Sequence, residues 1–208
     1  MASLRDIKKR IKSVKNTQKI TSAMKLVAAS KLRKAQEAIT AQRPYAIELG
    51  ATLRRPASRS ENGDASIAAP PLLAVHEPKN VLLVVITSDR GLCGAFNANI
   101  NRRAENFLKE EHGNYAKLEV ATIGRKGGDH FKKSDTPDSV QDHPGVFDNL
   151  TFREARKIAD EVTKRYVEED LDAVFVLYNE FKSAISQNVT VDRLLPVVTD
   201  ERPEGPDG

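Results

Sequence analysis

Lys15-Asn16-Thr17-Gln18-Lys19-Ile20-Thr21-Ser22-Ala23-Met24-Lys25-Leu26-Val27-Ala28-Ala29-Ser30-Lys31-Leu32-Arg33-Lys34-Ala35-Gln36 carries its apolar residues three or four positions apart. The same spacing runs outward in both directions, through Leu4, Ile7, Ile11 and Val14 on one side and Ile39, Leu49 and Leu53 on the other. This is helical periodicity, and it predicts one helix from Ser3 to about Leu53. At 1.5 Å per residue such a helix reaches ~75 Å, whereas a domain of the remaining length has a radius of gyration of ~15 Å, so much of it is expected to project. Its apolar seam needs a partner, because an isolated helix gains most of its stability by burying a face. Ser3 followed by Asp6 has the form of an N-terminal capping box. Pro44 lacks a backbone donor and crowds the preceding turn, which predicts a bend near Arg43 and a fading of the helix toward Gly50 and Pro56.

Charge divides the chain in two. Over residues 1–60 fifteen Lys and Arg stand against Asp6, Glu37 and Glu48, a surplus of twelve, so the total of +4 leaves −8 for the remainder. A basic helix of this length fits nucleic acid, an anionic membrane or an acidic protein surface, and field strength alone does not choose among them. The first thirty residues are broken throughout by Lys and Arg, which encodes neither a secretory signal nor a membrane span. Cys93 is the only cysteine, which excludes an internal disulfide and fits a reducing, cytosolic compartment. The chain has no Trp and few aromatics, a poor basis for a single-strand stacking surface. No nucleic-acid partner is expected.

Between Arg54 and Asn80 the composition turns to Pro, Ala, Ser, Gly and Asn, which reads as a linker over 56–78. A second domain is expected over 79–200, and a flexible tail over 201–208. Val81-Leu82-Leu83-Val84-Val85-Ile86 is a continuous β-prone run suited to a strand buried on both faces of a parallel sheet. A helix follows from about Asn97 to Glu111, then a strand over Leu118–Ile123 and a short helix or turn over Lys126–Lys133. Phe152–Glu169 reads as an amphipathic helix, with Ala155, Ile158, Ala159, Val162 and Tyr166 on one side. Ala173–Phe181 and Asn188–Pro196 read as an antiparallel pair at one edge. The alternation predicts an α/β fold: a three-layer domain with a mostly parallel sheet and helices on both faces, preceded by a long N-terminal helix of coiled-coil type.

Ligands in open α/β sheets sit at the carboxyl ends of the strands, where Thr87-Ser88-Asp89-Arg90-Gly91-Leu92-Cys93-Gly94 falls. Neither this loop nor Gly124–Gly128 contains a dinucleotide fingerprint or a P-loop. A phosphatase-type cysteine would need Arg six places after Cys93, where Asn99 stands. His76, His112, His130 and His143 show no paired metal-ligand spacing, although one of them could approach Cys93 in space. Gly91 and Gly94 have a structural explanation as residues that permit a sharp turn where a side chain would clash. No catalytic residue, cofactor site or metal site is expected.

Residues 15–36, Arg43-Pro44-Tyr45-Ala46 and Ile86-Thr87-Ser88-Asp89-Arg90-Gly91-Leu92-Cys93-Gly94 closely resemble the gamma subunit of F-type ATP synthases, and the resemblance spans residues 1 to about 198. It implies a central-stalk rotor subunit without catalytic residues of its own, coupling proton flow through a membrane ring to ATP synthesis in a catalytic head. The implied partners are the alpha and beta subunits of that head, the epsilon subunit and the membrane c-ring. The implied location is the cytoplasmic side of the bacterial inner membrane, held peripherally through the complex. The resemblance assigns partner contacts to Lys19, Met24, Lys25, Asp89 and Arg90: Arg90 would meet acidic beta-subunit loops transiently, with Asp89 fixing the loop. Coiled-coil packing is the competing role for Met24, and an Asp89–Arg90 neighbourhood that only shapes a turn competes for Arg90.

Members of this family continue past the α/β domain into a long C-terminal helix that pairs with the first, whereas this sequence stops at Gly208. A fragment or truncated product is the favoured expectation, a stalk completed by a separate polypeptide the other. Two other functions remain open on the residues: a small α/β nucleotide-binding enzyme with a basic targeting helix, and a basic nucleic-acid-binding module.

Overall fold

A computed structural model describes residues 3–61, 71–75, 77–134, 140–148, 150–168, 170–183 and 186–197. The chain divides into two compact units, Met1–Leu53 and Arg54–Gly208. The first unit is formed by helix α1, which runs Leu4–Glu61 and whose last residues, beyond Leu53, fall within the second. Its entry is capped by Ser3, whose carbonyl accepts the amides of Asp6 and Ile7 at 2.9 and 3.1 Å. The Ser3 hydroxyl accepts the Arg5 amide at 3.3 Å, one residue earlier than in a capping box. Hydroxyls inside the helix are absorbed by its own carbonyls, as in Thr17 to Ser13 at 3.1 Å and Thr21 to Thr17 at 3.0 Å. The helix runs through Pro44 without a break. Its seam is exposed, from 39% at Ile39 to 71% at Leu4, with Ile7, Ile11, Val14, Ile20, Met24, Val27 and Leu49 between.

The second unit is built on a five-stranded sheet in the order β3-β2-β1-β4-β5. Strand β1 spans Asn80–Ile86, β2 Lys117–Ile123, β3 Val140–His143, β4 Ala173–Phe181 and β5 Gln187–Leu195. Central β1 pairs in parallel with β2, Val84 opposite Ala121, and with β4, Val84 opposite Val176. Only β5 is antiparallel, beside β4 at the edge. Helices α2 (Phe96–Glu110), α3 (Arg125–Phe131) and α4 (Phe152–Val167) complete it.

The alternation of side chains along β1 divides the core in two. Val81, Leu83 and Val85 pack with Ile100, Ala104, Phe107 and Leu108 of α2 and Phe131 of α3. Leu82 and Val84 pack with Val162 and Tyr166 of α4. A strand apolar at every position is therefore one covered on both faces. Burial in α4 is confined to its second half: Ala155 and Ala159, which share the apolar stripe in sequence, are exposed. The stretch read as linker is structured in part. Pro71–Leu73 form a 3-10 turn, Leu72 packs against the α4-side core, and Tyr166 donates its hydroxyl to the Ala74 carbonyl at 2.8 Å. Residues 62–70 and 76 of that expected linker, and the expected tail over 201–208, lie outside the described residues.

Strand β3 has no counterpart in the sequence reading. Val140-Gln141-Asp142-His143 has little β character, yet it pairs with β2, Thr122 opposite Asp142. Asp142 is satisfied by the Thr122 hydroxyl at 2.9 Å and by Lys132 at 2.7 Å. A second polar knot lies on β2, where Glu119 binds Lys117 and Arg165, the latter at 2.9 Å. Burial alone would raise the Glu119 carboxyl, but these two cations together hold it below the ordinary range.

Candidate functional site

The strand order turns outward in opposite directions at β1, so the carboxyl ends of β1 and β4 flank the switch point of the sheet. The loop Thr87–Ala95 leaves β1 there, and its first residues are pinned. Thr87 is 1% exposed; its hydroxyl donates to the Gly124 carbonyl at 3.2 Å and accepts the Gly127 amide at 2.8 Å. That approach leaves no room for side chains opposite. At Gly124, which has φ 102°, a Cβ would lie 2.2 Å from the Thr87 carbonyl oxygen.

Asp89 is the anchor of the loop. It is 8% exposed, and its carboxylate accepts three backbone amides: Arg125 at 2.9 Å and Gly145 at 2.8 Å on Oδ1, and Phe147 at 3.1 Å on Oδ2. Burial alone would raise its carboxyl, but the three amides, aided by the charge of Arg125, outweigh burial and hold it below the ordinary range. Its oxygens are turned inward, and they tie the loop to the backbone of Arg125, Gly145 and Phe147.

Arg90 points the other way. Its guanidinium meets Asp148 at 3.1 Å, and the side chains are 78% and 53% exposed. The turn is therefore not shaped by an Asp89–Arg90 contact, since each residue has its own partner. Beyond it, Leu92 stands in the left-handed region at φ 62° with its side chain wholly exposed. Gly94 is also left-handed, at φ 59°, whereas a Cβ at Gly91 would meet nothing within 4 Å. The clash argued for both glycines is thus absent at both, and only Gly94 has a conformational reason to be glycine.

Cys93 lies beside Asn97, whose side-chain amide donates to the sulfur at 3.1 Å, and 3.9 Å from the Ser88 hydroxyl. No imidazole takes the place of a base there among the described residues: His130 instead meets Glu105 at 2.8 Å. His76 lies outside the described residues. An open cleft of about 360 Å³ sits at the switch point, lined by Thr87, Ser88, Phe96, Phe147 and Tyr178 among others, with no Lys or Arg in its wall to meet a phosphate. Among the described residues no three His, Cys, Asp or Glu gather closely enough to hold a metal ion.

The remaining sequence candidates stand on α1. Lys19, Met24 and Lys25 are all exposed. Lys19 continues a file with Lys8, Lys12 and Lys15, spaced by helical turns around Ile11. The residue that sequence reasoning missed is Asp148, the partner of Arg90 across 58 positions, for which no local signal exists.

The chain thus combines a doubly wound α/β unit with a long basic helix whose apolar seam is exposed. The sequence model described as ATP synthase matches residues 3–207, and the chain belongs to that family. It is 50% identical over 208 residues to the ATP synthase gamma chain of Anaeromyxobacter sp. (strain Fw109-5), covering 100% of this chain and 70% of the relative. It is 48% identical over 198 residues to the ATP synthase gamma chain of Geobacter sp. (strain M21), covering 95% of this chain and 66% of the relative. The chain thus spans about two thirds of the length of the curated relatives it matches. In fold it is similar to a chain of the rotor of Euglena gracilis mitochondrial ATP synthase in rotational state 1, with a TM-score of 0.57 at 20% identity over 92% of this chain and 62% of that one. No described helix is long and apolar enough to cross a membrane.

Proposed function

We propose that this chain is a central-stalk, rotor subunit of a proton-translocating ATP synthase, coupling proton flow through a membrane ring to ATP synthesis in a catalytic head. One observation carries the reading: a match to gamma chains along the whole sequence coincides with a helix whose apolar seam and basic file both lie open. The seam supplies a surface for another helix, and the lysines supply long-range attraction to an acidic sleeve without deep interlocking that would trap one orientation.

On this reading α1 forms the stalk helix, continuing to Glu61 and not ending at residue 55, the stretch from there to 78 is a connection, and 79–200 is the domain that couples to the ring. The partners are the alpha and beta subunits of the head, the epsilon subunit and the c-ring. Lys19, Met24 and Lys25 contact the head from α1, and Arg90 contacts acidic loops of the beta subunit from the rim of the sheet. Asp89 serves that contact by holding the loop. The chain performs no catalysis and needs no cofactor; the nucleotide sites belong to other chains. It works at the cytoplasmic side of the bacterial inner membrane, attached through the complex.

The test is co-purification of the tagged chain with the alpha and beta subunits of its own source, beside titration calorimetry of the chain with ATP and NAD. Retention of the head without nucleotide binding is expected. Saturable binding of ATP or NAD by the chain alone, with no retention of the head, would overturn the proposal in favour of a nucleotide-binding enzyme.

A further inference from the structure

Arg90 is exposed but not free, and the two residues of the pair Asp89-Arg90 face one segment in opposite senses. Asp89 takes the amides of Gly145 and Phe147 into its buried carboxylate. Arg90 gives its guanidinium to Asp148 of the same segment, at 3.1 Å. The loop after β1 and Gly145–Asp148 are thereby joined by a clasp with a fixed half and an exchangeable half. The fixed half is charge-assisted and shielded. The exchangeable half is an ion pair with both side chains more than half exposed, of the kind that is weak and screened by salt. Beside it stand the wholly exposed Leu92 and the partly exposed Phe147, so both segments present apolar surface at the same rim.

We propose that Gly145–Asp148 is the second half of the contact surface, and that Asp148 is an internal competitor for Arg90. An acidic partner loop gains the guanidinium only by displacing the Asp148 carboxylate, and on release Asp148 takes it back. The exchange trades one ion pair for another, so the contact forms without a long-lived bond and suits a surface that meets its partner repeatedly. This rests on the reading of Arg90 as a contact to an acidic subunit surface.

The test uses the full chain and, as probe, the immobilised head assembled from the alpha and beta subunits of its own source. Binding is measured by biolayer interferometry at 50 and 300 mM NaCl. Asp148→Asn, which keeps the shape and removes the competing charge, is expected to tighten binding about two- to fivefold at the lower salt, with the gain shrinking at the higher. In an Arg90→Ala background the same change is expected to do nothing, which separates competition from a general change in net charge. Thermal melts of each variant confirm folding, since both side chains are exposed. If Arg90→Ala weakens binding but Asp148→Asn leaves it unchanged or weakens it, the competitor is refuted and the Arg90 contact stands. If Arg90→Ala has no effect, or the unaltered chain does not bind the head, the contact reading falls and the competitor with it.

Discussion

Replacing Asp89 by Asn changes one atom and should cost the α/β unit about 2–3 kcal/mol, from losses of charge assistance and of one amide acceptor. Two of its three amide partners, Arg125 and Gly145, donate to Oδ1, and Phe147 donates to Oδ2. An asparagine that keeps its oxygen at the Oδ1 position retains two bonds and turns its NH₂ against the Phe147 amide. The flipped amide retains one bond and opposes two donors, so the first arrangement wins. Charged acceptors contribute about 1.5–3 kcal/mol per bond against about 1 for neutral ones, so each retained bond loses about 1 kcal/mol. The opposed Phe147 amide adds about 1–3 kcal/mol, offset in part because a neutral side chain is less costly to bury.

Urea unfolding followed by tyrosine fluorescence measures the difference, since the chain has no Trp and Tyr115, Tyr166 and Tyr178 all lie in this unit. Amide hydrogen exchange should show Arg125, Gly145 and Phe147 losing protection together. The sign with pH is determined. The folded Asp89 carboxyl lies below its unfolded value, so its stabilisation is complete above ~4 and is lost as pH falls through the folded value. The gap between the native chain and Asp89→Asn should therefore close in acid. A gap below about 1 kcal/mol at pH 7 that stays constant to pH 3 would refute the anchor role.

The glycines offer a paired comparison: Gly124→Ala should destabilise by about 2 kcal/mol or more, because its Cβ would meet the Thr87 carbonyl at 2.2 Å and φ is 102°. Gly91→Ala, with open space around it, should be neutral or stabilising by about 0.5 kcal/mol in the same melt. Glu119→Gln should lower stability by about 1–3 kcal/mol, because a single uncharged amide oxygen cannot accept from both Lys117 and Arg165, and the three-quarters-buried Arg165 is left with Asp170, at 2.6 Å, as its one anionic partner. An unchanged melting temperature would assign Glu119 no part in stability. Neutralising Lys8, Lys12, Lys15 and Lys19 to Gln should slow association with the head at 50 mM salt and leave little difference at 500 mM, by stopped-flow light scattering. Equal rates at low salt would remove the steering role of the file.

Much of this architecture was legible because its signals are local. Ile7, Ile11 and Val14 announce α1 by their spacing, and the six apolar residues from Val81 to Ile86 announce a strand covered on both faces. The edge pair β4 and β5 shows the same way, as does the α/β alternation. The site was legible only as a place: the loop after β1 falls at the carboxyl end of the sheet, and the resemblance carried by Asp89-Arg90-Gly91-Leu92-Cys93-Gly94 singled it out. The linker reading hid the turn at Pro71–Leu73, whose one well-packed residue, Leu72, leaves no periodic trace.

Sequence by itself therefore determined the long basic helix and four of the five described strands with the helices between them. These depend on side chains three or four positions apart, or two, within one element. Tertiary structure alone decided that Val140–His143 is a strand, because Asp142 is satisfied by Thr122 and Lys132, and Gln141 by Glu161, and not by neighbours in the chain. It alone decided that Asp89 turns inward to amides 36, 56 and 58 positions away while Arg90 turns outward to Asp148. Two adjacent charged residues look equivalent in a sequence. Which of them binds buried amides and which an exposed carboxylate depends on which strand end the fold brings alongside, and that is set by the sheet order.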